Sequence, residues 1–274
     1  MTKFERFYID FCHEYNLYLN FHIHDLDCKA SIEDPIFINI ITTIKNKSYD
    51  ELMDYVGNLA KYINQIKEDF TVARLLLVQS QYKRKDFHRI SLRTNYVNAL
   101  DDSDFNLYIG LLKSSFKEAY SILDKISAFI NEYYKLGIRG NIYFTNIWEN
   151  KISQKKKLIR PEILDSENIS LYALYDIYLD VINGYYKKIN DIRTASEHER
   201  LIIYDSNLTD WDNKEDKNNI GYNTMFFQTI KLFEIVKSSI IYLINFVNYE
   251  EHRKAENMGG YLAPMFLDNT QYLY

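Results

Sequence analysis

Between Phe105 and Tyr133 apolar residues recur at steps of three and four: Phe105, Tyr108, Ile109, Leu112, Phe116, Tyr120, Leu123, Ile126, Ile130 and Tyr133. At 3.6 residues per turn, this spacing stacks them on one side of a helix. The pattern predicts a helix that opens at Asp104 and closes at Gly137, a residue suited to the position just past a helix end. About 30 residues rising 1.5 Å each give about 45 Å, the length of a bundle spine. Eight glycines and three prolines in 274 residues leave few places to break a helix. No strand-like alternation persists and no repeat period stands out. The predicted fold is an all-α, multi-helix bundle.

Other segments are placed by their end signals. Phe4, Phe7, Tyr8, Phe11 and Tyr15 give residues 4–20 a helical period. Asp34-Pro35 reads as an N-cap followed by proline at the first helical position, opening a short helix through Ile44. Ser48 and Glu51 fit a capping box that starts a helix to about Lys67, with another from about Phe70 to Tyr82. Ser170 reads as the cap of a helix that ends near Asn183-Gly184. A last helix, about Asn223 to Tyr249, is apolar nearly all round and reads as a core element or a subunit interface. Residues 138–168 are less regular, and Lys155-Lys156-Lys157 reads as a solvated loop tip. Asp205 to Asn219 reads as an exposed polar loop. The chain divides into an N-terminal helical extension, 1–70, and a main helical domain, 71–274.

Composition sets limits on function. Hydrophobic residues at 47% and aromatic residues at 16% exclude a disordered chain. A net charge of −5 and a pI of 5.7 exclude a protein that coats nucleic acid by bulk charge. Any RNA contact must come from a local patch. The basic run holding Lys83, Arg84, Lys85, His88, Arg89 and Arg93 is the best stretch for facing phosphates, and it also fits a solvated connection. Cys12 and Cys28 make neither a disulfide framework nor a zinc pair, and no metal or cofactor motif stands out. The N-terminus is charged and lacks the apolar core of a signal peptide. The most apolar run, 238–249, is shorter than the ~20 residues needed to span a bilayer. These features point to a cytosolic chain with no membrane contact.

The stretch Arg193-Thr-Ala-Ser-Glu-His198 carries the chemistry. It pairs a permanent cation with a residue type that exchanges a proton near neutral pH. A guanidinium can hold a phosphate and offset its developing charge, and an imidazole can take the proton of a ribose 2′-hydroxyl. Arg193 and Glu197 are also spaced i, i+4, which fits a plain surface ion pair. On a continuous helix five residues advance ~500°, so Arg193 and His198 leave the helix ~140° apart.

The order of landmarks around this stretch resembles the HEPN superfamily. A long helix holding Asp124-Lys125-Ile126 and Phe129-Ile130-Asn131 leads to a Trp148 connection. A further helix follows, then Arg193 to His198, then an apolar helix that ends in Glu250-Glu251-His252-Arg253. The resemblance spans roughly residues 70–255, and is nearest a bacterial ribonuclease toxin or defence branch. It implies a helical bundle and a metal-independent endoribonuclease acting as a toxin or antiviral effector. It also implies a homodimer whose two motifs face each other, with a composite site that takes His198 from one chain and Arg193 from the other because one protomer cannot easily aim both at one phosphate, and an antitoxin or regulatory partner. Arg193 would then bind the scissile phosphate and His198 would act as general acid or base. The products would be a 2′,3′-cyclic phosphate and a 5′-hydroxyl. Thr194 stands where the family often has an amide. From the residues themselves, Asp124 is a candidate to orient His198 or a buried cap or ion pair, Glu197 fits a pair with Arg193 or Arg200, and Arg200, Lys83, Arg84, Lys85 and Arg89 are candidates to contact RNA. The alternative within the same superfamily is a non-catalytic module that binds a nucleotide or a partner.

Overall fold

The structure is a computed structural model that describes residues 1–21, 29–38, 40–43, 48–97, 103–153, 156–204, 218–258 and 261–264. Helix α1 (Lys3–Glu14) opens on a capping box between Thr2 and Glu5, with bonds of 3.1 and 3.0 Å. Its aromatic face meets Tyr82 through Phe4 and Phe7, and Phe226 through Phe11. Cys12 on this helix is buried and free, and Cys28 lies outside the described residues.

The helix expected at 34–44 is absent from the described part of that segment. Residues 34–38 are non-helical, and Ile40–Thr43 form strand β1. The Asp34 carboxylate is committed elsewhere. It accepts from Arg74 Nη1 and Nη2 at 2.9 and 2.7 Å, and from the Leu19 amide at 2.6 Å, so both oxygens point to other segments and not to the amides of a following helix.

Helix α2 (Tyr49–Gln81) starts on the expected Ser48–Glu51 capping box. It then runs unbroken through 67–70, where two helices were expected. Nothing in Lys67-Glu68-Asp69-Phe70 breaks a helix, and its polar groups find distant partners. Lys67 Nζ donates to the Asp34 carbonyl at 3.0 Å, and Asp69 pairs with Lys125. The expected division between residues 70 and 71 therefore falls inside a helix. The basic run continues as helix α3 (Arg84–Ser91).

Helix α4 (Leu107–Tyr134) is the predicted spine. Its cap is Asn106, whose Oδ1 accepts from the Ile109 amide at 3.1 Å. Asp104 instead donates its own amide to the Ile203 carbonyl at 2.9 Å. The helix stops at Lys135, which turns left-handed at φ 52°, two residues before Gly137. It lies antiparallel to α2: Tyr62 meets Phe129, Asp69 meets Lys125, and Ser115 Oγ donates to the Ala73 carbonyl at 2.8 Å. Small residues at that last crossing let the two backbones approach.

Residues expected as an irregular basic loop form a hairpin, β2 (Glu149–Ser153) and β3 (Lys156–Ile159). Lys156 and Lys157 belong to β3, and Lys155 lies outside the described residues. A single turn, α5 (Pro161–Leu164), leads to α6 (Ile169–Ile182). Asn168, not Ser170, caps α6 by accepting from the Ser170 and Leu171 amides at 3.1 and 3.3 Å. Ser170 is already inside the helix, one of the residues whose amide needs a cap. Helix α7 (Lys187–His198) follows, then β4 (Ile202–Tyr204) and β5 (Asn219–Gly221), which pair in parallel. Most of the expected polar loop, 205–217, lies outside the described residues.

Helix α8 (Tyr222–Met258) runs nine residues past the predicted end at Tyr249. It lies alongside α4, with Tyr222 on Tyr108 and Phe246 on Tyr133. The extra turns are held by Glu251, fully buried, which accepts from Tyr133 and Tyr55 hydroxyls at 2.6 and 3.0 Å and from Lys254 Nζ at 2.9 Å. Strand β6 (Tyr261–Pro264) pairs antiparallel with β1. The three strand pairs among the described residues are each five residues long or less, too short for alternation to show in sequence. Among the described residues no helix is long and apolar enough to cross a membrane.

Arg74 is 3% exposed and ties the N-terminal segment to α2. Besides Asp34, it donates to the Tyr8 hydroxyl at 2.6 Å and the Leu17 carbonyl at 3.0 Å, and lies 4.8 Å over the Tyr18 ring. Asp34→Ala strands this guanidinium in the core and is expected to cost about 3 kcal/mol in denaturant unfolding. Combining it with Arg74→Met should recover part of that loss. Equal stability of Asp34→Ala and wild type would show that the pair does not hold the segment.

Candidate functional site

The α7 backbone is placed by its apolar face. Ile189, Ile192 and Ala195 are buried at a helical spacing, which leaves Arg193 at the edge that meets α4. On α4, Tyr120 and Asp124 are four residues apart and share the facing side. The Arg193 guanidinium sits 5.4 Å from the Tyr120 ring centre and 5.5 Å from that of Tyr143. Its Nη2 lies 2.9 Å from Glu197 Oε2 and 4.0 Å from Asp124 Oδ2, while its Nε is buried without a hydrogen-bond partner among the described residues. A cation between two ring faces and two carboxylates has little freedom to move.

Asp124 is positioned by the segment after α4. Asn131 clamps that segment by accepting from the Ile138 amide at 3.1 Å and donating to its carbonyl at 3.3 Å. Phe144 and Trp148 are fully buried, and the Phe144 amide donates to Asp124 Oδ1 at 2.7 Å. Burial pushes the Asp124 carboxyl above its ordinary range, and Glu197 adds to the effect. The Phe144 amide and Arg193 oppose it without cancelling it. Burial also drives the Tyr120 phenol upward, and its hydroxyl donates to Asn190 Oδ1 at 3.3 Å.

His198 ends α7 with its side chain 64% exposed. Its Nε2 lies 3.9 Å from Glu197 Oε2, the same oxygen that Arg193 contacts at 2.9 Å. The two nitrogens can be no farther apart than the sum of those distances, about 6.8 Å. Directions ~140° apart on the helix therefore do not by themselves keep the two side-chain tips apart within one chain. The Cα–Cβ directions diverge, but two long side chains bend back to a shared carboxylate.

Other expected site residues fall differently. Asp124 meets Arg193, not His198, because it faces the middle of α7 while His198 leaves the far end. Thr194 is exposed and its hydroxyl donates to the Asn190 carbonyl of its own helix at 2.9 Å. Arg200 is exposed in the connection after α7. The basic run lies elsewhere: Arg84, Lys85 and Arg89 line an open depression of ≈ 400 Å³ with Tyr108. Tyr108 and Tyr120 are twelve residues apart on α4, so about 18 Å of helix separates this depression from Arg193. Arg84 is stacked 4.5 Å over Tyr222, and Lys83 Nζ lies 5.3 Å over its neighbour Tyr82. Among the described residues no three His, Cys, Asp or Glu side chains converge as metal ligands.

Sequence reasoning missed Tyr120 and Tyr143 as parts of the site. The i, i+4 spacing of Tyr120 and Asp124 was visible, but Tyr120 also fits the core stripe of α4. Tyr143 reads as an apolar anchor, yet is 38% exposed. A second hollow, ≈ 360 Å³, lies against this group, lined by Asp124, Ala128, Gly140, Asn141, Ile142 and Tyr143.

A family model described as LA2681-like HEPN matches residues 53–250. The chain belongs to the HEPN superfamily. Comparison with curated proteins and with solved structures returned no match. The HEPN match takes in α2 from Met53, all of α4, the Arg193–His198 motif on α7 and most of α8. It leaves α1 and β1 outside. The superfamily includes ribonucleases.

Asp124 gives a test of this geometry. Its raised folded-state pKa means that the neutral form favours folding, fully so at low pH, and that this contribution is lost as pH rises through the folded value. Asp124→Asn keeps an acceptor for the Phe144 amide but carries no charge. It is expected to melt higher than wild type near pH 7 and to lose that advantage near pH 3. An advantage independent of pH would contradict the assignment.

Proposed function

We propose that this HEPN protein is a metal-independent endoribonuclease that cuts RNA by attack of a ribose 2′-hydroxyl. The observation that carries the reading is the convergence of Arg193 Nη2 and His198 Nε2 on one carboxylate oxygen of Glu197. That oxygen occupies a site between a fixed cation and an exposed imidazole, and a scissile phosphate offers oxygens of the same charge and reach. In this reading the phosphate displaces Glu197. Arg193, held between Tyr120 and Tyr143, binds a non-bridging oxygen and offsets the charge that builds during attack. His198 takes the 2′-hydroxyl proton as the 2′-oxygen bonds to phosphorus and the bond to the 5′-oxygen breaks. The departing 5′-oxygen takes a proton from water and the protonated His198 returns its proton to the hydroxide formed, leaving a 2′,3′-cyclic phosphate and a 5′-hydroxyl.

Exposed Arg200, Lys85 and Arg89 extend the proposal to the flanking RNA backbone, where they act through charge and not through base reading. The biological role proposed is that of a toxin or antiviral effector, restrained by an antitoxin or regulatory partner.

Arg193→Ala and His198→Ala should each lower cleavage of single-stranded RNA by at least about 100-fold, with folding unchanged by circular dichroism. Cleavage unaffected by both substitutions would end the proposal. No cleavage by wild type across varied RNAs, with binding retained, would favour the non-catalytic reading. Growth arrest on expression, relieved by either substitution, checks the effector role.

A homodimer enters the proposal through His198, whose outer surface is open to a second copy. Mixing the two inactive variants tests where the site is built. The one-chain geometry predicts no recovery. Recovery of roughly a quarter of wild-type activity would place the site across the interface, since random exchange makes half the dimers mixed and each mixed dimer holds one intact site of two.

A further inference from the structure

We propose that the hollow beside Asp124 is a nucleobase subsite, which seats one base of the RNA strand whose phosphate lies at Arg193 and His198. The proposal rests on the phosphate reading above and adds to it the place where the strand's base goes.

The hollow and the guanidinium cage share two walls. Tyr143 lines the hollow and also stacks on Arg193, and Asp124 lines it and also faces Arg193 Nη2 at 4.0 Å. A phosphate at the Glu197 position therefore has this hollow next to it, within the reach of a single nucleotide. At ≈ 360 Å³ it lies at the small end of ligand clefts, which run roughly 300–1,000 Å³.

Its lining matches a base in shape and chemistry. Tyr143 offers a partly exposed ring for stacking, which suits a planar base of any identity. Asn141 Nδ2 donates to the Tyr143 hydroxyl at 3.1 Å, which orients the amide and leaves its Oδ1 and second N–H for a base edge. Asp124 Oδ1 is taken by the Phe144 amide, and Oδ2 remains an acceptor. Ala128 and Ile142 supply an apolar floor.

The loop is also built in advance. Asn146 Oδ1 accepts from the Tyr143 amide at 2.9 Å, its Nδ2 donates to the Asn141 carbonyl at 3.4 Å, and Gly140 turns at φ +87°, where a side chain would be strained. Such a loop pays little ordering entropy when a ligand arrives.

The test compares adenosine 3′-monophosphate with inorganic phosphate, by calorimetry, on the full chain. Wild type should bind the nucleotide at least about tenfold tighter than phosphate. Ala128→Phe fills the hollow from the α4 side, and Asn141→Ala removes the amide. Ala128→Phe should erase the nucleotide's advantage and Asn141→Ala should lower it, both with phosphate affinity unchanged. Asn141 lies on an exposed loop, so its variant serves if Ala128→Phe fails to fold. Equal affinity of wild type for the two ligands, binding of neither, or an advantage that survives both substitutions would overturn the subsite. Arg193→Ala separates the two proposals. Loss of phosphate binding there supports the phosphate reading, whereas unchanged phosphate affinity with an intact nucleotide advantage would sink that reading and leave the subsite standing.

Discussion

The burial of α4 is the constraint on which the rest of the molecule depends. Leu112, Phe116, Leu123, Ile126, Phe129 and Ile130 are fully buried along it. Each such side chain contributes about 1.5–3 kcal/mol when removed from water. With α2 and α8 both packed on it, α4 turns a further strip toward α7, and Tyr120 and Asp124 lie on that strip. They are therefore held by a helix that is buried along most of its length. The precision of the Arg193 cage comes from the core and not from the motif that supplies the arginine.

Buried charge does a second job. Arg74 with Asp34, and Glu251 with Lys254 and two tyrosines, place ions where water is scarce. Such pairs add little net stability over apolar packing, but a mispaired arrangement would be costly. Their effect here is to fix which segments meet. One fastens the N-terminal segment to α2, and the other fastens the last turns of α8 to α2 and α4. At the candidate site the logic is reversed. Arg193 is caged, but its partner Glu197 is exposed, so solvent screens this pair more than the two buried ones.

Much of the helical fold was legible because periodicity is a local signal. The α4 stripe, the Ser48–Glu51 box and the α8 apolar run all register within a few turns of chain. What failed to register was any feature decided by a distant partner. Asp34-Pro35 looks like a helix start, and only Arg74, forty residues away, makes it something else. The charged stretch 67–69 interrupts the apolar pattern without breaking the helix, and its partners, Lys125 and the Asp34 carbonyl, lie far off in sequence. The strand pairs gave no signal because each is too short to show alternation.

For the site, the sequence by itself determined the residue types and their spacing on α7, and with them the chemistry that the motif can support. It also determined that Arg193 and Glu197 would meet, since that contact is local to a helix. Only the tertiary structure decided that Asp124 serves Arg193 and not His198. It also decided that Tyr120 and Tyr143 close on the guanidinium and that a hollow opens beside them. The tips of Arg193 and His198 converge although their bonds leave the helix in different directions. Helical angles describe where side chains begin; Tyr120 and Tyr143 from other segments place the Arg193 tip, and Glu197 of the same helix brings the His198 tip toward it.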